Sequence, residues 1–167
     1  MPTKISAEMT YSASCGDIFA MYTDEAYILK KLAGTGGTDP TVGVSEAGSD
    51  TVVDAGRTLP SQIPAFAKAF VGDTVRVDER QQWSPADDKG ARSAIVTLVF
   101  QGAPVSAHGK LFLEPAADGC VCRVEIEAKS TVPLIGGKIE GVIVHQLERA
   151  IRQENKIGNA WLAGDRG

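Results

Sequence analysis

The last segment of the chain, residues 134–162, carries the pattern that most constrains the fold. With about 100° of rotation per residue, its apolar side chains fall on one stripe of a helix. These are Ile139, Ile143, Leu147, Ala150, Ile157 and Trp161, while His145, Arg152 and Lys156 fall on the opposite side. A helix of about 28 residues is roughly 42 Å long. Because one face of it is apolar over its whole length, it has to lie across a large apolar surface elsewhere in the chain.

A run of β-strands is expected to supply that surface. From Cys120 to Lys129 apolar side chains alternate with charged ones, and this period of two is typical of an antiparallel sheet with one face in water. Further strands are predicted at residues 4–11, 42–44, 52–59, 73–83, 92–101 and 105–114. Two short helices are predicted across residues 14–33, with Ser14 and Asp24 as N-caps. Residues 60–71 are expected to form a short helix or an ordered lid loop.

The order of these elements predicts an α+β fold of the helix-grip type, in a single domain over residues 1–167. A curved antiparallel sheet of about six to seven strands would wrap around the long C-terminal helix. Only 6% of the residues are aromatic, so a gap lined by valine, alanine, cysteine and glycine would be only partly filled. An internal cavity between sheet and helix is therefore expected.

Net charge and the distribution of apolar residues limit which partners and which cellular location we expect. The 17 basic and 21 acidic residues give a net charge of −4, which disfavours nucleic acid as a partner. The longest dense apolar segment, residues 94–100, is too short to cross a bilayer, and the start of the chain lacks the apolar stretch of a signal peptide. The three cysteines are expected to be reduced thiols, because Cys120 and Cys122 lie too close along one strand to bond easily. We therefore expect a cytoplasmic protein with no stable membrane insertion, no metal and no cofactor, and its oligomeric state stays open.

Several short strings resemble a known family. They lie at residues 82–83, 101–105, 109–111, 132–140 and 161–162, and the string Val-Pro-Leu-Ile-Gly-Gly-Lys-Ile-Glu at 132–140 is fairly specific. With the order of elements, they are similar to the START-like superfamily, also called SRPBCC, which includes the birch-pollen allergen, lipid-transfer domains and aromatase/cyclases. Within it they resemble an uncharacterised branch, a domain of unknown function, over about residues 4–163. The resemblance implies a cavity for a hydrophobic ligand, and it carries over no catalytic residue because that branch has no established reaction.

Polar side chains on the inward faces mark the candidate ligand site. The candidate ligand-binding residues are Arg57, Glu79, Gln81, Trp83, Gln146 and Glu154. Those on strands share a face with apolar neighbours, and the two on the final helix lie within roughly 40° of the centre of its apolar stripe. Polar groups that converge inside an apolar lining are the usual anatomy of a small-molecule pocket, and an inward Arg57 would suit an anionic head group. The alternative for each residue is a position where its strand or helix reaches water.

The leading hypothesis is that the protein binds a lipid-, polyketide- or sterol-like molecule as a carrier or sensor, with residues 60–71 as a lid. One alternative is a cyclase- or hydratase-type enzyme, in which Glu79 or Glu154 has a raised pKa and moves protons. Another is a protein-interaction module whose core is filled by its own side chains. No catalytic residue is assigned.

Overall fold

The computed structural model describes residues 2–61 and 65–167 and places one sheet against one long helix. In chain order the elements are β1 (Thr3–Tyr11), α1 (Cys15–Tyr22), α2 (Glu25–Gly34), β2 (Thr38–Ala47), β3 (Asp50–Pro60), α3 (Ala65–Val71), β4 (Thr74–Trp83), β5 (Arg92–Gln101), β6 (Val105–Ala116), β7 (Gly119–Ser130) and α4 (Gly136–Leu162). The predicted caps are confirmed. The Ser14 hydroxyl accepts a hydrogen bond from the backbone N–H of Asp17, and the Asp24 carboxylate accepts one from that of Ala26.

Seven strands form one antiparallel sheet in the described part of the chain, in the order β1-β7-β6-β5-β4-β3-β2. The two edge strands are β1 and β2, so helices α1 and α2 carry the chain from one edge to the other. The curved sheet with its long C-terminal helix confirms the predicted helix-grip fold. The register also sets the interior: Arg57 of β3 lies opposite Val77 of β4, and Ala55 lies opposite Glu79. Arg57 and Glu79 are therefore diagonal neighbours on one face.

Helix α4 packs against β1 and β7 through its apolar stripe. The predicted stripe is buried at Ile139, Ile143, Ile157 and Trp161 and half buried at Leu147 and Ala150. A buried carboxylate holds the N-terminal part of α4: Glu140 accepts hydrogen bonds from Thr3 Oγ1 at 2.9 Å and from the backbone N–H of Ser130 at 2.8 Å. These bonds tie the start of β1 and the end of β7 to α4. None of the described helices is long and apolar enough to cross a membrane.

A disulfide joins Cys15, the first residue of α1, to Cys120 near the start of β7, with the two Cα atoms 5.1 Å apart. Cys122 is free and buried. The expectation that all three cysteines are reduced is therefore wrong for two of them. The pairing of β1 with β7 sets Tyr11 opposite Cys120, and α1 begins only a few residues after Tyr11. The bond depends on this long-range pairing, which the spacing of cysteines along the chain does not indicate.

The segment predicted as a short helix or a lid loop contains helix α3. Residues 62–64 of that segment lie outside the described residues. Phe66 of α3 is 43% exposed, and the ammonium group of Lys138 in α4 lies 6.0 Å from the centre of its ring. That the segment works as a lid stays a prediction.

Candidate functional site

Four of the candidate residues form one hydrogen-bonded chain on the helix-facing side of β3 and β4, which we call the interior polar chain. Arg57 Nη1 donates to Glu79 Oε1 at 3.0 Å, Gln81 Nε2 donates to Glu79 Oε2 at 2.5 Å, and Trp83 Nε1 donates to Gln81 Oε1 at 2.9 Å. Alternate residues of a strand share a face, which aligns the three members from β4. The side chains of Arg57 and Glu79 are only 12% and 14% exposed, and Gln81 and Trp83 are buried.

A second ion pair joins the helices to this chain. Lys31 Nζ of α2 lies 3.3 Å from Glu154 Oε1 of α4, and the two side chains are 12% and 20% exposed. The charge of Lys31 also interacts with Glu79 and Arg57. Two cations and two anions therefore meet between sheet and helices, and their formal charges sum to zero.

The pKa shifts show that both Lys31 and Glu79 stay charged near neutral pH. Burial by itself raises the pKa of Glu79, but Lys31, Arg57 and the hydrogen bonds from Gln81 and Arg57 outweigh it, so that this pKa lies below its ordinary value. Burial by itself lowers the pKa of Lys31, but the attraction of Glu154 and Glu79 outweighs it and raises that pKa. Glu79 is thus an ionised acceptor and not a proton donor at neutral pH.

Aromatic side chains surround the end of the interior polar chain. The ring of Trp83 lies 5.8 Å from that of Phe19 and 6.0 Å from that of Tyr22. Tyr22 stacks on Tyr27, with ring centres 6.4 Å apart, and its hydroxyl oxygen is 2.8 Å from that of Tyr11. Burial is the largest of the effects that raise the pKa of all three tyrosines. Their hydroxyls are therefore neutral hydrogen-bonding groups within a largely apolar interior.

Two buried polar atoms at this place, Tyr27 Oη and Arg57 Nε, have no hydrogen-bond partner among the described residues. Tyr27 is fully buried. Its hydroxyl lies against Gly158 of α4, where a Cβ atom would come within 3.2 Å of it. Buried polar groups are hydrogen-bonded in most proteins. These two atoms therefore mark positions at which a polar atom of a ligand would be stabilised.

The structure thus brings together Arg57, Glu79, Gln81 and Trp83, and Glu154 joins them through Lys31. Gln146 is half buried on α4, about two turns before Glu154. The role of these residues in ligand binding stays a prediction.

Sequence reasoning missed Lys31 and Tyr27. Their spacing of four places them on one face of α2, next to the buried Ile28. That spacing was the available signal. Lysine is nearly always exposed, however, and a lysine in an amphipathic helix normally indicates the outer face.

The order of the elements and the curved sheet around α4 define a START-like fold. Three similar solved structures support the assignment. Norcoclaurine synthase from Thalictrum flavum, in complex with dopamine and hydroxybenzaldehyde, is 15% identical, with a TM-score of 0.55 over 98% of this chain and 88% of that one. A STAR-related lipid transfer protein from Xanthomonas axonopodis is 13% identical, with a TM-score of 0.55 over 90% and 85% of the two chains. Ara h 8.0201 is 12% identical, with a TM-score of 0.60 over 98% and 99%.

A family model identifies the family to which the chain belongs. The model described as "Protein of unknown function (DUF2505)" matches residues 6–162, and the chain belongs to that family. An uncharacterized protein of Mycobacterium tuberculosis is 21% identical over 174 residues, covering 99% of each chain. The predicted membership in a family of unknown function is therefore confirmed, and the similar structures confirm its START-like fold.

Proposed function

We propose that this protein binds a hydrophobic small molecule, lipid-, polyketide- or sterol-like, between the concave face of the sheet and α4, as a carrier or sensor. The observation that carries the proposal is the interior polar chain, which sets hydrogen-bonding groups among apolar and aromatic side chains. Small-molecule sites combine an apolar lining with a few polar groups that orient the ligand. Burial of the apolar part would supply the binding free energy, at roughly 25 cal/mol per Å² before entropic costs.

Structures of the same fold support this class of ligand. One similar protein is named as a lipid transfer protein, and another was solved with dopamine and hydroxybenzaldehyde. The segment 60–71, which contains α3, would form the lid. We also propose a cytoplasmic location and no role in binding nucleic acid, in keeping with the net charge of −4. Because disulfides are rare in a reducing cytoplasm, the Cys15–Cys120 bond would make this protein an exception there.

The charge state of Glu79 favours a carrier or sensor over an acid catalyst. A cyclase- or hydratase-type mechanism in which this residue is the general acid needs a carboxyl group that holds its proton near neutral pH. Lys31 and Arg57 lower the pKa of Glu79 instead, despite its burial. Glu79 is therefore suited to orient a ligand and to balance charge.

Tryptophan fluorescence tests the proposal, because Trp83 ends the interior polar chain. The variant Trp161→Phe leaves Trp83 as the sole tryptophan, and Trp83→Phe leaves Trp161 as the matched control reporter on α4. Each variant is titrated with a fatty alcohol, a sterol and an aromatic polyketide, and retention of the ligand is measured by gel filtration. We expect at least one ligand to be retained and to change the Trp83 emission saturably, with a smaller change at Trp161. If none is retained and the Trp83 emission stays constant, the proposal fails, and a core filled by its own side chains explains the fold better.

A further inference from the structure

We infer that the ligand's polar group is an uncharged hydrogen-bond acceptor, such as a ketone oxygen, that takes its hydrogen bond from the Tyr27 hydroxyl. The inference rests on the proposed function and specifies the ligand's chemistry. It departs from the expectation that Arg57 suits an anionic head group. Two independent observations lead to it: the hydrogen-bonding groups that the interior leaves unused, and the charge balance around them.

The unused hydrogen-bonding groups are donors. The Tyr27 hydroxyl and the Nε–H of Arg57 are buried without partners among the described residues, whereas the neighbouring Tyr11 and Tyr22 hydroxyls share a hydrogen bond. Arg57 Nε–H can only donate. The Tyr27 hydroxyl has no acceptor to donate to, and burial keeps its proton in place by raising its pKa. A ligand atom that accepts a hydrogen bond would satisfy either group.

The charges near these donors are already balanced. Arg57 pairs with Glu79, and Lys31 pairs with Glu154. The charged groups that act on Lys31 and Glu79 all belong to this set of four. A carboxylate brought in by a ligand would add a net charge to a balanced interior and would lose its hydration without an unpaired cation to compensate. A neutral acceptor loses far less hydration and still makes the hydrogen bond.

Tyr27 belongs to the same aromatic cluster as Trp83. Its ring stacks on Tyr22, which packs against Trp83, and its other side meets Trp161 with ring centres 5.5 Å apart. Tyr27 and Lys31 lie one helical turn apart on α2. The donor therefore stands between the aromatic part of the interior and its charged part, where the polar end of an apolar ligand would lie.

Three probes of similar shape test the inference: ethylnaphthalene, acetylnaphthalene and naphthoate. A second set carries the same three end groups on a linear alkyl chain, in case the interior rejects fused rings. Binding to the full chain is measured at pH 7.5 by calorimetry. Ethyl-probe binding reports on the proposed function alone. We expect the acetyl probe to bind about fivefold more tightly than the ethyl probe, the gain of one neutral hydrogen bond. We expect naphthoate to bind at least about tenfold more weakly than the acetyl probe.

The variant Tyr27→Phe locates the hydrogen bond. It should remove the fivefold advantage of the acetyl probe over the ethyl probe. Because the hydroxyl has no partner among the described residues, the variant should unfold at the same or a higher urea concentration than the wild type. Binding of ethyl and acetyl probes with equal affinity, preferred binding of naphthoate, or an acetyl advantage that survives in Tyr27→Phe would each overturn the inference while the proposed function stands. Failure of every probe in both sets would overturn the two together.

Discussion

Replacing Glu79 by glutamine removes the negative charge that pairs directly with Arg57 and keeps the shape of the side chain. The Arg57 side chain, which would lose this partner, is only 12% exposed. Breaking a fully buried ion pair costs about 3–5 kcal/mol. We expect about 2–3 kcal/mol here, because a little water reaches both groups and because Lys31 keeps its partner Glu154.

The same two strands offer a matched control. Asp54 and Arg80 of β3 and β4 form a pair on the opposite, outer face of the sheet, with charged atoms 3.7 Å apart and side chains 53% and 59% exposed. Asp54→Asn should cost no more than about 0.5 kcal/mol. The assay is urea unfolding followed by tryptophan fluorescence and by far-UV circular dichroism. A cost for Glu79→Gln within about 0.5 kcal/mol of the control would refute the view that the interior pair is buried and coupled.

Three further changes test other parts of the structure. The double variant Cys15→Ala with Cys120→Ala should lower the free energy of unfolding by about 3–5 kcal/mol, since the bond spans 105 residues. A reductant should destabilise the wild type by a similar amount and leave the variant unaffected. A wild type whose stability does not change in reductant would contradict the disulfide. Gly109→Ala should destabilise the protein by about 2–3 kcal/mol, because its Cβ would lie 1.9 Å from a backbone oxygen of β7. Gly43→Ala on β2, whose added Cβ would have none of the described atoms within 4 Å apart from its chain neighbours, should cost less than about 0.5 kcal/mol. Equal costs of the two variants in urea unfolding would exclude the close approach of β6 and β7 at Gly109. Because the pKa of Glu79 is lowered in the folded state, its carboxylate stabilises the fold above the ordinary pKa of about 4.3, and this stability is lost as the pH falls below that value. When urea midpoints are measured over a pH series, Glu79→Gln should lose less stability in acid than the wild type does. An equal loss in both proteins would contradict the lowered pKa of Glu79.

Much of the fold is predictable from local pattern, because the spacing of apolar residues along the chain follows the period of a strand or of a helix. The alternation from Cys120 to Lys129 gave β7 almost to its ends, and the caps Ser14 and Asp24 placed the starts of two helices. The extent of α4 differs from the prediction by two residues at its start. These features depend on neighbours within a few residues of each other, which a sequence shows directly.

The site was only partly predictable, because it depends on contacts between distant segments. Alternation alone aligned Glu79, Gln81 and Trp83, and the structure adds the bonds that link them. Lys31 reaches the same interior from α2, although most lysines in amphipathic helices face water. The bond from Cys15 to Cys120 likewise depends on β1 pairing with β7 across the whole chain. Such contacts need the strand order, and the strand order was not available from periodicity.

Native mass spectrometry of gently purified protein tests the central claim most directly. The protein is measured as isolated and after incubation with a lipid extract, and bound material is recovered with organic solvent. We expect a discrete added mass on the 17.6 kDa chain that disappears on denaturation and belongs to an uncharged, oxygen-bearing hydrophobic compound. A bare chain under both conditions would contradict this expectation.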